Sequence, residues 1–327
     1  MTSIARAAPT AIPVLGQVER RVLWLSTAIV HHANRVRPNP LALKVGGHQA
    51  SSASMVSIMT RAVVSPPAAQ RPGVGQAARL AGAARDQLPA RRAATESYLT
   101  RLREFGGLQS YPSRAKDPDP VDYSTGSVGI GATAPIWGAL ARRYVRRTFG
   151  GRGTGRQYSL LGDAELDEGA VLGGDPRPAV ADLGEIVWIV DLNRQSLDRV
   201  VPIIARRPAA GDVRRGRLAG AHRQVRHAAA RAVRRARRRR AARRASTTMP
   251  NPEYQRLLRC DAAQLRERLP GDSAEVADLL AEQSTTTALL AVIRNLGGHD
   301  LGALRAAFDA DRRHAGRRCI FAYTIKG

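Results

Sequence analysis

The chain has 327 residues, room for one large α/β domain or two smaller ones, and its 43% apolar content is that of a globular protein rather than a disordered one. Its formal net charge of +25 raises nucleic acid or an anionic surface as a partner. Cys260 and Cys319 stand outside any metal-thiolate spacing, no apolar signal core follows Arg6, and the best apolar stretch (residues 22–30) is too short for the ~30 Å of a bilayer, so thiolate metal sites and a membrane anchor are not expected and a cytoplasmic location is.

Residues 20–37 (RRVLWLSTAIVHHANRVR) have the spacing of an amphipathic helix, with Val22, Leu25, Ala28 and Ile29 on one face and Asn39-Pro40 marking its end. A glycine turn at Gly46-Gly47 then leads through His48 into a small-residue helix reaching Met59. Adjacent glycines let the backbone approach a ligand closely, so His48 is either a site residue or a core or capping histidine. Residues 61–95 follow, with six Arg and one Asp but no aromatic residue. Beyond them, residues 124–135 (STGSVGIGATAP) form a turn rich in Gly, Ser and Thr, with a helix expected over 136–147. Such a loop either cradles phosphate through its N–H groups or serves only as a packing turn.

Residues 156–161 read as a strand ending at Gly162-Asp163-Ala164-Glu165, and a helix is expected to begin over 166–170. The apolar run 186–192 (IVWIVDL) reads as a buried parallel strand, with Asn193-Arg194-Gln195 at its end. In a right-handed βαβ unit, Asp163 and Asn193 therefore meet at the carboxyl edge of neighbouring strands, where open α/β sheets bind ligands. A carboxylate and an amide oxygen there suit Mg²⁺, a hard ion that also accepts phosphate oxygens. Helices are expected over 252–269 and 273–293, a turn at 295–300 containing His299, a helix over 301–309, and a strand over 320–325 at which the chain stops. That stop reads as a truncation.

The charge is concentrated. Residues 201–248 hold sixteen Arg against one acid, Asp212, and residues 311–318 hold four Arg against Asp311. These blocks, with 61–95, have three readings: a basic arm on nucleic acid, a solvated Ala/Arg surface, or GC-rich coding DNA translated out of frame. Abrupt changes of texture after Val200 and near Met249 favour the third, so nucleic acid is not expected as a partner.

Several motifs in order carry a resemblance: GGHQAS at 46–51, YSTGSVGIGATAP at 123–135, GDAELDEGA at 162–170 with LNRQSLD at 192–198, GGHD at 297–300 and AYTIKG at 322–327. Together they resemble the homodimeric type of the decarboxylating first component of the pyruvate dehydrogenase complex, within the transketolase group, over about two-thirds of the chain. The resemblance implies an α/β fold, a parallel sheet flanked by helices, as one incomplete domain holding the diphosphate end of thiamine diphosphate and its Mg²⁺. By the same resemblance Asp163, Asn193 and the Gln195 carbonyl hold the metal; Gly162, Ala164 and Glu165 line the diphosphate; and Lys326 reaches it. His48, Ser51 and Tyr111 face cofactor or substrate, and Val128 supports the thiazolium. Ala164 stands where glycine is commoner.

The implied activity is decarboxylation of pyruvate with transfer of acetyl to a lipoyl-bearing acyltransferase partner, in a homodimer and without membrane contact. Transketolase-type ketol transfer and a basic nucleic-acid-binding protein are the alternatives. A second histidine segment is missing where 61–95 stand, strand and helix are missing where 201–248 stand, and the pyrimidine-binding domain does not follow. The chain alone is therefore not expected to turn over.

Overall fold

The computed structural model describes residues 12–41, 45–64, 96–117, 122–126, 129–150, 156–174, 182–196, 199–200, 249–271, 273–281, 290, 293–311 and 318–326. Val128 and the bulk of the three basic blocks (65–95, 201–248 and 312–317) lie outside the described residues. The blocks' edges belong to the fold. Arg61 is buried, its guanidinium 5.5 Å from the Phe308 ring centroid and 3.7 Å from the Asp309 carboxylate, and Arg318 opens a strand.

The centre is a three-stranded parallel sheet in the order β1-β2-β5, formed by β1 (Gln157–Gly162), β2 (Ile186–Leu192) and β5 (Arg318–Tyr323). A second, smaller sheet pairs β3 (Gln195–Ser196) antiparallel with β4 (Arg199–Val200). Side chains alternate across the strands. On one face Trp188, Val190, Leu192, Phe321 and Tyr323 pack with Ala132, Ile136 and Ala139 of α3 (Ile130–Phe149), and with Tyr254, Leu257, Leu265 and Val276. The last four come from α5 (Asn251–Leu258), α6 (Ala262–Arg268) and α7 (Ala274–Ala281). On the other face Tyr158, Leu160, Val187, Ile189, Ile320 and Ala322 meet Ile58 and Met59 of α2 (Gln49–Met59) and Leu304 and Phe308 of α8 (Leu301–Asp311). Helices on both faces explain why 186–192 is apolar without alternation. Each large side chain buried this way stabilises by roughly 1.5–3 kcal/mol. Cys260 and Cys319 are buried thiols of the first face.

Several elements differ from the sequence expectation, the last strand among them: expected over 320–325, it spans Arg318–Tyr323. Helix α1 (Ile12–His31) begins eight residues before 20 and passes into a π-helical turn at His32–Val36. Its buried face is Leu15, Val22, Ser26, Ile29 and Val30, whereas Leu25 and Ala28 are only half-buried. Helix α3 starts at Ile130 and runs through Pro135, where a turn had been expected. Proline removes the N–H that would bond the Gly131 carbonyl and normally breaks a helix. Here the Ser159 hydroxyl on β1 donates to that carbonyl, and the Trp188 indole N–H donates to Ala132 O at 3.2 Å. Ser159→Ala strips the donor from a buried carbonyl, so a loss of about 1–3 kcal/mol is expected in urea unfolding.

A single-turn 3₁₀ helix at Asp163–Asp167 precedes α4 (Gly169–Gly174) where one helix had been expected. The helix expected over 252–269 is two, because Asp261 caps a new one: its Oδ1 accepts the Gln264 N–H at 2.9 Å while Gln264 Oε1 accepts the Asp261 N–H at 3.1 Å. Among the described residues no helix is long and apolar enough to cross a membrane.

Candidate cation and diphosphate site

Because β1 and β2 are parallel neighbours with Gly162 opposite Asp191, the chain leaves both strands at the same sheet edge. Asp163 follows β1, Asn193–Gln195 follow β2, and Thr324–Lys326 follow β5 on the far side. The three segments meet at the carboxyl edge of the sheet.

Asp163 is 1% exposed, and its carboxylate accepts the Arg194 N–H at 2.6 Å. Burial pushes its pKa up to about 7; the Asp191 charge adds to the rise, while the N–H groups of Arg194, Ala164 and Asn193 oppose it. Arg194 sits in the left-handed region at φ 64°, an uncommon conformation for a residue with a Cβ that costs on the order of 1 kcal/mol. It is held there from both ends. Its N–H is on Asp163, its guanidinium lies 4.1 Å from the Tyr254 ring centroid, and Nη1 donates to Met249 O at 3.3 Å.

Asn193 donates through Nδ2 to Asp191 Oδ2 at 3.1 Å and accepts the Gln195 N–H on Oδ1 at 3.0 Å. Gln255 of α5 clamps the same loop: its Nε2 donates to Asn193 O at 2.9 Å, and its Oε1 accepts Gln195 Nε2 at 2.8 Å. Gln195 Nε2 also reaches Lys326 O at 3.3 Å, joining the β2 and β5 ends. Lys326 is buried. Glu165 folds back over its own turn, Oε2 accepting the Gly162 N–H at 3.0 Å, and burial raises its pKa.

The glycine turn is set by Asn34 at the end of α1, whose Nδ2 donates to Gly46 O at 2.8 Å and whose Oδ1 accepts the Gly46 N–H at 3.1 Å. Gly47 has φ +86°, and a Cβ there would stand 3.0 Å from Val30, so glycine is required. His48 is thereby placed at the N-terminus of α2, and Ser51 one turn along; both are half-buried. Tyr111 is partly exposed on a segment pinned to the glycine-rich loop: Thr125 N–H donates to Pro112 O at 3.1 Å, and Arg114 N–H to Ser124 Oγ at 3.0 Å. Val128 falls outside the described residues.

His299, expected only as a turn residue, ties the site's third segment. The Ile325 N–H donates to its Nε2 at 2.8 Å, leaving the proton on Nδ1, 3.2 Å from Ser57 Oγ, and the Ser57 hydroxyl donates to the Glu19 carboxylate. Burial lowers the His299 pKa from the ordinary 6.5. The unfolded chain therefore takes up this proton first as pH falls. The stability His299 contributes is complete above about pH 6.5 and is lost below it. Melting temperatures at pH 7.5 and 5.5 should show a larger acid loss in the wild type than in His299→Gln.

The sequence reading missed Asp191, Ser54, Thr324, Gln255 and Arg194. An aspartate inside an otherwise apolar strand was the one available signal, since a buried carboxylate needs donors. Among the described residues no group of three or more His, Cys, Asp or Glu gathers as a metal cluster; the oxygen donors present are one carboxylate, an amide and backbone carbonyls.

No protein-family model matches the chain. Curated proteins do. The pyruvate dehydrogenase E1 component of Mycolicibacterium smegmatis is 29% identical over 341 residues, covering 95% of this chain and 34% of that protein. Its counterpart in Escherichia coli K12 is 28% identical over 229 residues, 68% of this chain and 25% of that protein. A third, from Corynebacterium glutamicum, is 34% identical over 98 residues, 29% of this chain and 10% of that protein. The chain is distantly related to proteins of this name and spans at most about a third of the length of these relatives.

Proposed function

We propose that the chain binds the diphosphate of thiamine diphosphate through Mg²⁺, as part of a pyruvate dehydrogenase E1-like enzyme. The observation that carries this is the meeting of Asp163 and Asn193 at one sheet edge, with Gln195 two residues on. The donor set fits the ion. It is all oxygen, and Asp163 carries a buried charge that backbone N–H groups only partly compensate. A divalent cation would complete that compensation. Mg²⁺ holds few protein ligands and fills the rest of its octahedron with water and phosphate oxygens, so the lack of a carboxylate cage among the described residues is compatible with it.

In this reading the Asp163 carboxylate, Asn193 Oδ1 and the Gln195 carbonyl hold Mg²⁺. Gly162, Ala164 and Glu165 line the diphosphate, and Lys326 supplies positive charge. His48, Ser51 and Tyr111 face the cofactor or the substrate, and the role of Val128, which lies outside the described residues, is to support the thiazolium. Bound thiamine diphosphate supplies the electron sink on which a 2-oxo acid loses carbon dioxide. The relatives' name favours pyruvate over a sugar phosphate. The family resemblance adds a lipoyl-bearing acyl acceptor, a homodimer and a cytoplasmic setting.

Calorimetric titration of thiamine diphosphate into the full chain tests the reading, with Mg²⁺ and with EDTA. Saturable heat only with Mg²⁺ is expected. Heat indifferent to EDTA, or none in either buffer alongside tight salt-sensitive DNA binding, would overturn it in favour of the basic segments as the working part.

A further inference from the structure

Asp191 lies outside the diphosphate motif, yet it is wholly buried and three donors converge on it. Ser54 Oγ of α2 donates to Oδ2 at 2.6 Å, Asn193 Nδ2 donates to the same Oδ2 at 3.1 Å, and the Thr324 hydroxyl beyond β5 donates to Oδ1. The strand alternation explains the meeting. Asp191 falls on the face of β2 that carries Val187 and Ile189, Thr324 on the face of β5 that carries Ile320 and Ala322, and α2 packs on that face. Ser54 stands five residues into α2 from Gln49, roughly 8 Å along its axis. One carboxylate thus ties β2, the end of β5 and the helix that begins after His48.

A carboxylate only accepts hydrogen bonds, whereas an amide has a donating end and an accepting end of nearly equal shape. Which end of Asn193 faces outward is therefore set by what the other end meets. Against Asp191, only the NH₂ end fits inward. The oxygen then turns to the Gln195 N–H, on the side of the loop next to Asp163. Without Asp191 the NH₂ end loses its acceptor and the Gln195 N–H alone orients the amide, so the turned-over form, which would present two N–H groups to an incoming cation, becomes more populated.

We propose that Asp191 is the positioning residue of the cation site: it fixes the amide of Asn193 so that its oxygen is the end available to a divalent cation. The proposal rests on the cation–diphosphate reading above and adds to it the residue that makes Asn193 a ligand.

The test is Mn²⁺ binding in the presence of thiamine diphosphate, followed by electron paramagnetic resonance on the full chain, with a thermal melt of each variant. Asp191→Ala should weaken Mn²⁺ by about 10–100-fold, the usual effect of losing a partner that orients a ligand. Asp191→Asn should stay within about threefold, because a single oxygen at the Oδ2 position serves both Ser54 and Asn193, and the new NH₂ can donate to Thr324 instead of accepting from it. Ser54→Ala and Thr324→Val remove the other two bonds without touching Asn193 and should bind as the wild type does.

Wild-type affinity in Asp191→Ala overturns the proposal alone. So does a tenfold loss in Asp191→Asn, whether or not the alanine variant folds, and so does an equal loss in Ser54→Ala, which would mark a packing effect. No Mn²⁺ binding by the wild type removes the cation reading and the proposal together.

Discussion

Asp163→Asn is expected to abolish Mg²⁺-dependent binding of thiamine diphosphate without lowering the melting temperature of the metal-free chain at pH 8. The two halves have one cause. Keeping the Asp163 carboxylate ionised at pH 8, when its pKa stands at about 7 instead of 3.8, costs on the order of 4 kcal/mol. Asparagine removes that cost. It also weakens the bonds from the N–H groups of Arg194, Ala164 and Asn193, since charge-assisted hydrogen bonds are worth about 1.5–3 kcal/mol and neutral ones about half that. The pKa of about 7 already includes those bonds, so the net effect of asparagine on the metal-free fold at pH 8 is not destabilising. Cation binding is lost all the same, because the carboxylate of the donor set is gone, and the affinity should fall more than the ~10–100-fold typical of an outer partner. Calorimetry and a thermal melt on the same sample check both halves. Retained Mg²⁺-dependent binding would remove Asp163 from the site, and an unfolded variant would make it a structural residue.

The parts of the fold legible in the sequence were those governed by local patterning. IVWIVDL reads as a strand buried on both faces because helices cover both faces, and its bounds are those observed, Ile186–Leu192. The pairing of β1 with β2 follows from the right-handed crossover rule, and with it the meeting of Asp163 and Asn193. What was not legible depends on partners distant in sequence. Pro135 reads as the end of a turn, with the helix beginning after it, until Ser159 and Trp188 are seen to serve the carbonyls of the helical turn it lies in. Asp191 reads as one polar residue in an apolar run until its hydroxyl donors appear, 137 residues before it at Ser54 and 133 after it at Thr324. Arg194 has no role in the sequence beyond standing between two candidate site residues, and the fold makes it one of the largest fully buried side chains among the described residues. Such long-range polar pairs leave no period in the sequence, so only the folded chain displays them.

Gly298→Ala carries the second large effect, and it reaches the site through the backbone. Gly298 donates its N–H to Tyr323 O at 2.9 Å, and a Cβ at this position would stand 2.3 Å from that oxygen and 2.6 Å from its carbon. Neither neighbour is the end of a flexible side chain, so β5 and the 295–300 turn must separate. Overpacking costs about 1–3 kcal/mol and the lost buried hydrogen bond about 1–3 more, so the expected destabilisation is roughly 2–6 kcal/mol in urea. The consequence extends past stability. The same turn carries His299, whose Nε2 holds the Ile325 N–H, and Lys326 is the next residue, with its carbonyl on Gln195. Moving the turn away from Tyr323 therefore loosens the segment that brings Lys326 to the sheet edge. Thiamine diphosphate affinity should fall in Gly298→Ala even at temperatures where the variant is fully folded. His299→Gln, which keeps Gly298 and an acceptor for the Ile325 N–H, should hold the affinity near the wild-type value. If folded Gly298→Ala binds the cofactor normally, the 297–300 turn stabilises β5 without positioning Lys326, and the bonds of Gln195 and Asp191 suffice to hold the third segment of the site.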